Sequence, residues 1–237
     1  MQIVLEHTLD ITGFAGVRER VYVMDSQQFS GSSHEEAADG LGPFVYLADA
    51  HIRPGGSTGM HAHSNIDIVT IMLRGELSHQ GSLGHGTVLH QGSAQIQFSG
   101  RAGFSHNEVN ASGSFNRFIQ IWVKPDTAAL NDEAEYHDIH FDADNTTRLY
   151  THPATEAHLD FIGLKPKQKL VFENDALVFL IEGDLLVSEG EHNEQVIGTG
   201  LVRSIKEKHA ITSMVCEKAS QLIAIHSEAK LFINDTK

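Results

Sequence analysis

Four side chains in the first half of the chain have the types and spacing of a metal-ligand set: His61 and His63 lie two residues apart, and so do His106 and Glu108. In a β-strand successive side chains alternate between faces, so residues i and i+2 project from the same one. Each pair therefore aims both its members one way. If the strands that carry them neighbour each other in a small barrel, the four donors meet at one interior point. Three neutral imidazoles and one carboxylate suit a borderline divalent ion such as Fe, Mn, Co, Ni, Cu or Zn, whereas Mg and Ca prefer all-oxygen sites. Four protein ligands on an octahedral ion leave two positions for water, substrate or dioxygen, which gives the site catalytic capacity.

The chain holds 16 His among 237 residues, so chance alone supplies roughly one His-x-His pair, and by itself the pair is a weak motif. Its setting carries the signal. The pair follows PGGSTG, precedes the apolar run IDIVTIMLRGEL, and is answered by His-x-Glu after a second Gly-containing turn. Glu108 has two roles open to it, metal ligand and general base accepting a proton from a coordinated hydroxyl. Asp67 is a candidate acceptor for the outer N–H of a ligand imidazole, a partner that metal-bound histidines usually have. His79 and His85 are expected to face solvent, and Trp122 to belong to the core.

Around these residues the pattern is that of an all-β protein. FVYLADAHI, IDIVTIMLRGEL, HGTVLHQGS, AQIQFS and SFNRFIQIWVKP are short apolar runs bounded by Gly, Ser, Asn or Pro, the spacing of strands in a barrel or sandwich. Residues 1–128 are expected to form the domain that carries the site. The Ser-, Gly- and acid-rich stretch from Asp25 to Gly42 reads as a loop or lid over the barrel edge. DTAALNDEAEYHDI has helical composition and no internal Gly or Pro, so residues 129–148 are expected to be a short helical connector. A second β pattern fills 149–237, in which FLIEGDLL parallels IMLRGELS of the first half and hints at duplication of a barrel unit. No His-x-His precedes its Gly, and no second ligand quartet can be assembled there.

Composition narrows the function. With 17 Lys+Arg against 31 Asp+Glu the formal charge is −14, and without a basic cluster direct nucleic-acid binding is disfavoured. The single cysteine, Cys216, precludes an internal disulfide framework. Its apolar surroundings suggest a buried structural thiol. The opening MQIVLEHTLDITG lacks the features of an export signal and no apolar run reaches membrane-spanning length, so no membrane association and a cytoplasmic location are expected.

The run from Gly55 to Glu76 resembles the first cupin motif, and the longer stretch resembles the pirin family of two-domain cupins. Pirins carry His-Pro-His-Arg-Gly-Phe-Glu-Ile-Val-Thr, then Leu-x-Gly-Glu, a Gly-Val-Ile-Arg-Pro-Gly-Asp segment and His-Ser-Glu. This chain has HAHSNIDIVTIMLRGEL, HGTVLHQGS and HNE, then QIWVKP where pirins have Gln-Leu-Trp-Val. The resemblance is strong over 55–125 and loose beyond. It implies a bicupin of two antiparallel, jelly-roll-like β-barrels, the second degenerate. It also implies one divalent metal, iron first, on His61, His63, His106 and Glu108. Ala62, Ser64, Asn65, Ile66, Asp67 and Gln91 depart from the family pattern; none removes a ligand, but they change the lining of the site. The activity implied is quercetinase-like: 2,3-dioxygenation of a flavonol or related hydroxy-keto aromatic, with dioxygen as co-substrate and Glu108 as catalytic residue. Two alternatives stand beside it, a non-enzymatic metal-binding regulator acting through protein partners and a structural cupin without metal.

Overall fold

The computed structural model describes residues 1–31, 34–128, 130–155, 157–205, 212–227 and 234–235. Among them there is no α-helix, and the chain divides into two compact units, Leu9–His140 and Met1–Thr8 with Phe141–Lys237. β1 (Gln2–Leu5) belongs to the second unit. The first unit contains β2 (Val17–Met24), β3 (Phe44–Ile52), β4 (His61–His63), β5 (Asp67–Arg74) and β6 (Glu76–Gly81), followed by β7 (Val88–His90), β8 (Ser93–Phe98), β9 (Phe104–Val109), β10 (Arg117–Val123) and β11 (Glu135–His140).

These strands form two antiparallel sheets, ordered β11-β8-β5-β10-β3-β2 and β4-β9-β6-β7. The sequence explains the places they take. β5, DIVTIMLR, is rich in β-branched residues and apolar on both faces, so it is buried from Asp67 to Met72 between β8 and β10. β9, FSHNEV, alternates, and only Phe104, His106 and Glu108 are buried. Pairing of β10 with β5 and of β5 with β8 sets Gln120, Thr70 and Gln95 opposite one another in a row, with Trp122, Ile68 and Gln97 in the next row of the same face. The larger sheet thus turns a polar stripe toward β9.

The expected helical connector is not a helix. Glu135–His140 is β11, paired in register with β8 from Glu135↔Phe98 to His140↔Ser93. Helix propensity is a weak preference that tertiary context overrides. Here β8 would otherwise be a sheet edge with unmet backbone donors and acceptors, and the Tyr136 ring gains a place against His79. Ala129 of that segment lies outside the described residues.

The loop expected from Asp25 to Gly42 is a series of turns; its Ser32 and Ser33 lie outside the described residues. The Asp25 carboxylate accepts from Gln27 N and Gln28 N, and Asp39 accepts from Ser26 N. Ala38 bridges to Val23, and Phe29 packs on Tyr46 and Trp122.

The second unit contains β12 (Thr146–Thr151), β13 (Ala157–Leu164), β14 (Gln168–Phe172), β15 (Ala176–Glu182), β16 (Asp184–Glu189), β17 (His192–Ile197), β18 (Gly200–Ser204), β19 (Thr212–Val215), β20 (Ser220–Ser227) and β21 (Asn234–Asp235). Its sheets run β1-β18-β15-β20-β13-β12 and β17-β16-β19-β14-β21. Ile162, Phe172, Val178, Leu185 and Met214 fill the space between them, with Cys216 buried in the same cluster and donating to the Lys165 carbonyl. Burial raises the pKa of this thiol, as fits a structural cysteine. Of the expected strand KLFIND, only Asn234 and Asp235 lie among the described residues. Two antiparallel double-sheet units in tandem make the chain a bicupin.

Candidate metal centre

β4 and β9 are antiparallel neighbours, with His61 opposite His106 and His63 opposite Phe104. Two approaches hold β4 in place. The segment before it runs along β9, with Thr58 N donating to the Glu108 carbonyl and Glu108 N to Thr58 Oγ1. On its other side Gly103, at φ +69°, brings its backbone against the His63 carbonyl; a Cβ there would lie 2.5 Å from that oxygen.

This geometry brings the three sequence-identified imidazoles together. Their ring centroids are 4.6 to 4.9 Å apart, and one ligand nitrogen from each falls within 4.8 Å of the others. His61 Nδ1 lies 2.7 Å from the Gly59 carbonyl; a carbonyl only accepts, so Nδ1 carries the proton and Nε2 presents a lone pair. His106 Nδ1 lies 2.9 Å from Gln97 Oε1, which leaves its Nε2 in the same state. These two Nε2 atoms face each other at 3.1 Å, and His63 Nε2 is buried with no hydrogen-bond partner. Two nitrogens on perpendicular bonds of ~2.1 Å to one ion would stand about 3 Å apart. The buried nitrogens therefore fit a divalent transition metal. Burial, reinforced by the neighbouring imidazoles, pushes His63 down to about 4 and His106 down to about 2, so both are neutral at neutral pH.

Glu108 stands outside that cluster. It is fully buried on the same inward face as His106 and is clasped by the larger sheet: Thr70 Oγ1 and Gln95 Nε2 donate to Oε1 at 3.3 and 2.9 Å, and Gln120 Nε2 donates to Oε2 at 3.1 Å. A carboxylate has about four acceptor positions, so one remains open, on Oε2. Burial pushes its pKa up to about 7 against the opposing pull of these hydrogen bonds.

Behind this layer lies a second. Tyr136 Oη donates to Gln95 Oε1 and Trp122 Nε1 to Gln120 Oε1, so both amides are held from behind. Gln97 spans His106 and His79, its Nε2 lying 3.0 Å from His79 Nε2. His79 is 1 % exposed, which corrects the expectation that it faces solvent; His85 is exposed, as expected. Asp67 accepts from Ser99 N and Oγ and so braces the turn ahead of β9. The outer partners of His61 and His106 are the Gly59 carbonyl and Gln97. Neither motif nor spacing singles out Gln95, Gln97 and Gln120. For Gln95 and Gln97 the signal is the alternation in AQIQF, two amides on one face of an otherwise apolar strand; Gln120 is a lone amide in RFIQIWV.

Apolar groups frame the imidazoles. Phe104 and Trp122 lie 5.4 and 5.5 Å from the His63 ring, and Phe14 meets the His61 ring edge-on. Among the described residues, no other group of three His, Cys, Asp or Glu side chains could hold an ion.

Residues 23–123 match the family model described as Pirin. A Zymomonas mobilis relative is 38% identical over 77 residues, 32% of this chain and 32% of its own length. Quercetin 2,3-dioxygenase of Escherichia coli K12 is 30% identical over 115 residues, 48% of each chain. The matched stretch thus spans about a third to a half of the length of these curated relatives. In three dimensions the chain is similar to the bacterial pirin YhhW of Escherichia coli in complex with nickel(II), with a TM-score of 0.78 at 17% identity, covering 95% of this chain and 97% of that one. At that identity the likeness speaks for the fold.

Proposed function

From the pirin resemblance now borne out over residues 23–123, we propose that this chain is a metal-dependent dioxygenase acting on a flavonol-type or related hydroxy-keto aromatic substrate. One observation carries the reading: three inward imidazoles whose ligand nitrogens converge within 4.8 Å, one of them buried and without a partner. His61, His63 and His106 would hold the ion through Nε2, with Glu108 Oε2 as the fourth donor or as the base beside it. When bound, a divalent transition metal supplies Lewis acidity toward a substrate oxygen and, for iron or copper, redox capacity.

The remaining work falls to the chain's own groups. Glu108, buried and pushed up to about 7, is matched to accepting a hydroxyl proton near neutral pH. Gln95, Gln120 and Thr70 fix its orientation and leave one position of Oε2 for that proton. Phe104, Trp122 and Phe14 supply apolar faces beside the imidazoles that suit an aromatic ring. The name of the Escherichia coli relative, quercetin 2,3-dioxygenase, supports the substrate class, and the nickel of the pirin structure supports a metal.

Elemental analysis of the untagged protein beside His61→Ala, followed by a quercetin assay in air and without oxygen, tests the reading. Near-stoichiometric metal in the parent, its loss in the variant and oxygen-dependent quercetin consumption are expected. Quercetin left intact in air by metal-loaded protein overturns the dioxygenase assignment. The second reading, a metal-binding regulator that works through protein partners, then takes its place. On its side is the position of Glu108, outside the imidazole cluster with most of its acceptor positions already taken.

A further inference from the structure

The outer partners of the ligand imidazoles are of two kinds. His61 is held directly by the Gly59 carbonyl, which fixes its tautomer without help. His106 is held by Gln97, and an amide can present either end. With Oε1 toward His106, the amide accepts from Nδ1–H and leaves the Nε2 lone pair pointing at the other imidazoles. Turned over, it donates to Nδ1, and His106 then carries its proton on Nε2, where an ion would have to bind. Something must choose between these arrangements.

The choice falls to His79, which is shielded from solvent and stands opposite Glu108 in the β6–β9 pairing. It sits on β6, buried, with its ring 5.5 Å from the rings of both His106 and Tyr136. Its Nδ1 faces the Gly84 carbonyl at 3.4 Å. That carbonyl only accepts, so the His79 proton belongs on Nδ1 and its Nε2 needs a donor. Gln97 Nε2, 3.0 Å away, is the donor. Each proton in the series Gly84, His79, Gln97, His106 is then fixed by the one before it. The turned-over amide would oppose two acceptors between His79 and Gly84. The series is anchored by the β6–β7 loop, where His79 N donates to the Thr87 carbonyl and Gly86 N to the His79 carbonyl.

We propose that His79 and Gln97 are positioning residues that select the metal-receptive tautomer of His106, a relay set by the carbonyl of Gly84. The proposal rests on the reading of His61, His63 and His106 as metal ligands. Outer-shell partners of this kind change metal affinity by about 10- to 100-fold when removed.

The test uses zinc as the probe, with its dissociation constant measured by chelator competition on the full chain and the Tm of the metal-free proteins alongside. His79→Phe keeps a ring against Tyr136 but removes the acceptor; Gln97→Leu keeps bulk but removes the amide. Both are expected to bind zinc about 10- to 100-fold more weakly than the parent. Gln97→Glu, whose protonated carboxyl accepts from His106 and donates to His79, is expected to stay within a few-fold of the parent. In the zinc-loaded parent a slowly exchanging His106 Nδ1–H resonance is expected, lost in Gln97→Leu and kept in Gln97→Glu. If His79→Phe does not fold, the two Gln97 variants carry the comparison by themselves. Zinc bound at parental affinity by the folded variants, with only Tm lowered, overturns the relay and leaves the metal site standing. A parent that takes up no zinc overturns the metal reading and the relay together.

Discussion

Glu108 is the buried carboxyl of the candidate site, and its environment makes a prediction about pH. A carboxyl whose pKa rises on folding from 4.5 to about 7 holds its proton more tightly folded than unfolded. Its contribution to stability is therefore full below pH 4.5 and is lost as pH rises toward about 7. His63 and His106 act in the opposite sense, because their pKa values fall from 6.5 to about 4 and about 2; stability from them is present above 6.5 and lost on acidification. Comparing the metal-free parent with Glu108→Gln cancels the histidines and leaves the carboxyl. The Tm of the parent is expected to fall relative to the variant across the window from 4.5 to about 7, on top of a constant offset from the substituted hydrogen bonds. A Tm difference that stays flat with pH would show that Glu108 is not desolvated as described.

At the scale of elements, the ligand pairs were legible because strand periodicity is local: residues two apart share a face whatever the rest of the chain does. The amide layer was not legible. Which face of AQIQF turns inward depends on β5 and β11 pairing on either side of it, and a glutamine in a strand ordinarily reads as solvated. The same dependence hid β11, where composition favoured a helix and the open edge of β8 decided otherwise. The burial of His79 is likewise not legible, because the residues that follow it, QGSLGHG, have the composition of an exposed turn. The close packing of β4 on the turn before β9 gives a test at this scale. Gly103→Ala would push a Cβ to 2.5 Å from the His63 carbonyl at a φ of +69°. A cost of roughly 1–3 kcal/mol is expected for such strain, together with weaker zinc binding, both measurable by chemical denaturation and chelator competition. Unchanged affinity would mean that β4 is not held by this contact.

For the whole molecule, the metal-ligand candidates among the described residues all belong to the Leu9–His140 unit, while the second unit repeats the strand–Gly–strand passage with no such cluster among its described residues. Gly183, between β15 and β16, has φ +111°, and a Cβ there would meet Ser220 Oγ at 2.2 Å. Gly183→Ala is therefore expected to lower the denaturation midpoint of the chain while zinc affinity stays at the parental value; an affinity that drops in step with stability would contradict this separation. The acidic composition of the chain is not repeated at the site. Glu108 is the single acidic member of the quartet, its clasp consists of neutral amides and a hydroxyl, and burial rather than a neighbouring charge dominates its pKa. A divalent ion held there would carry a net charge near +1 in a medium that solvates charge poorly. Raising the ion to a trivalent state would double that unbalanced charge. On that account an ion held there with Glu108 ionised would be easier to keep divalent than trivalent, and an anionic oxygen reaching it would complete its neutralisation.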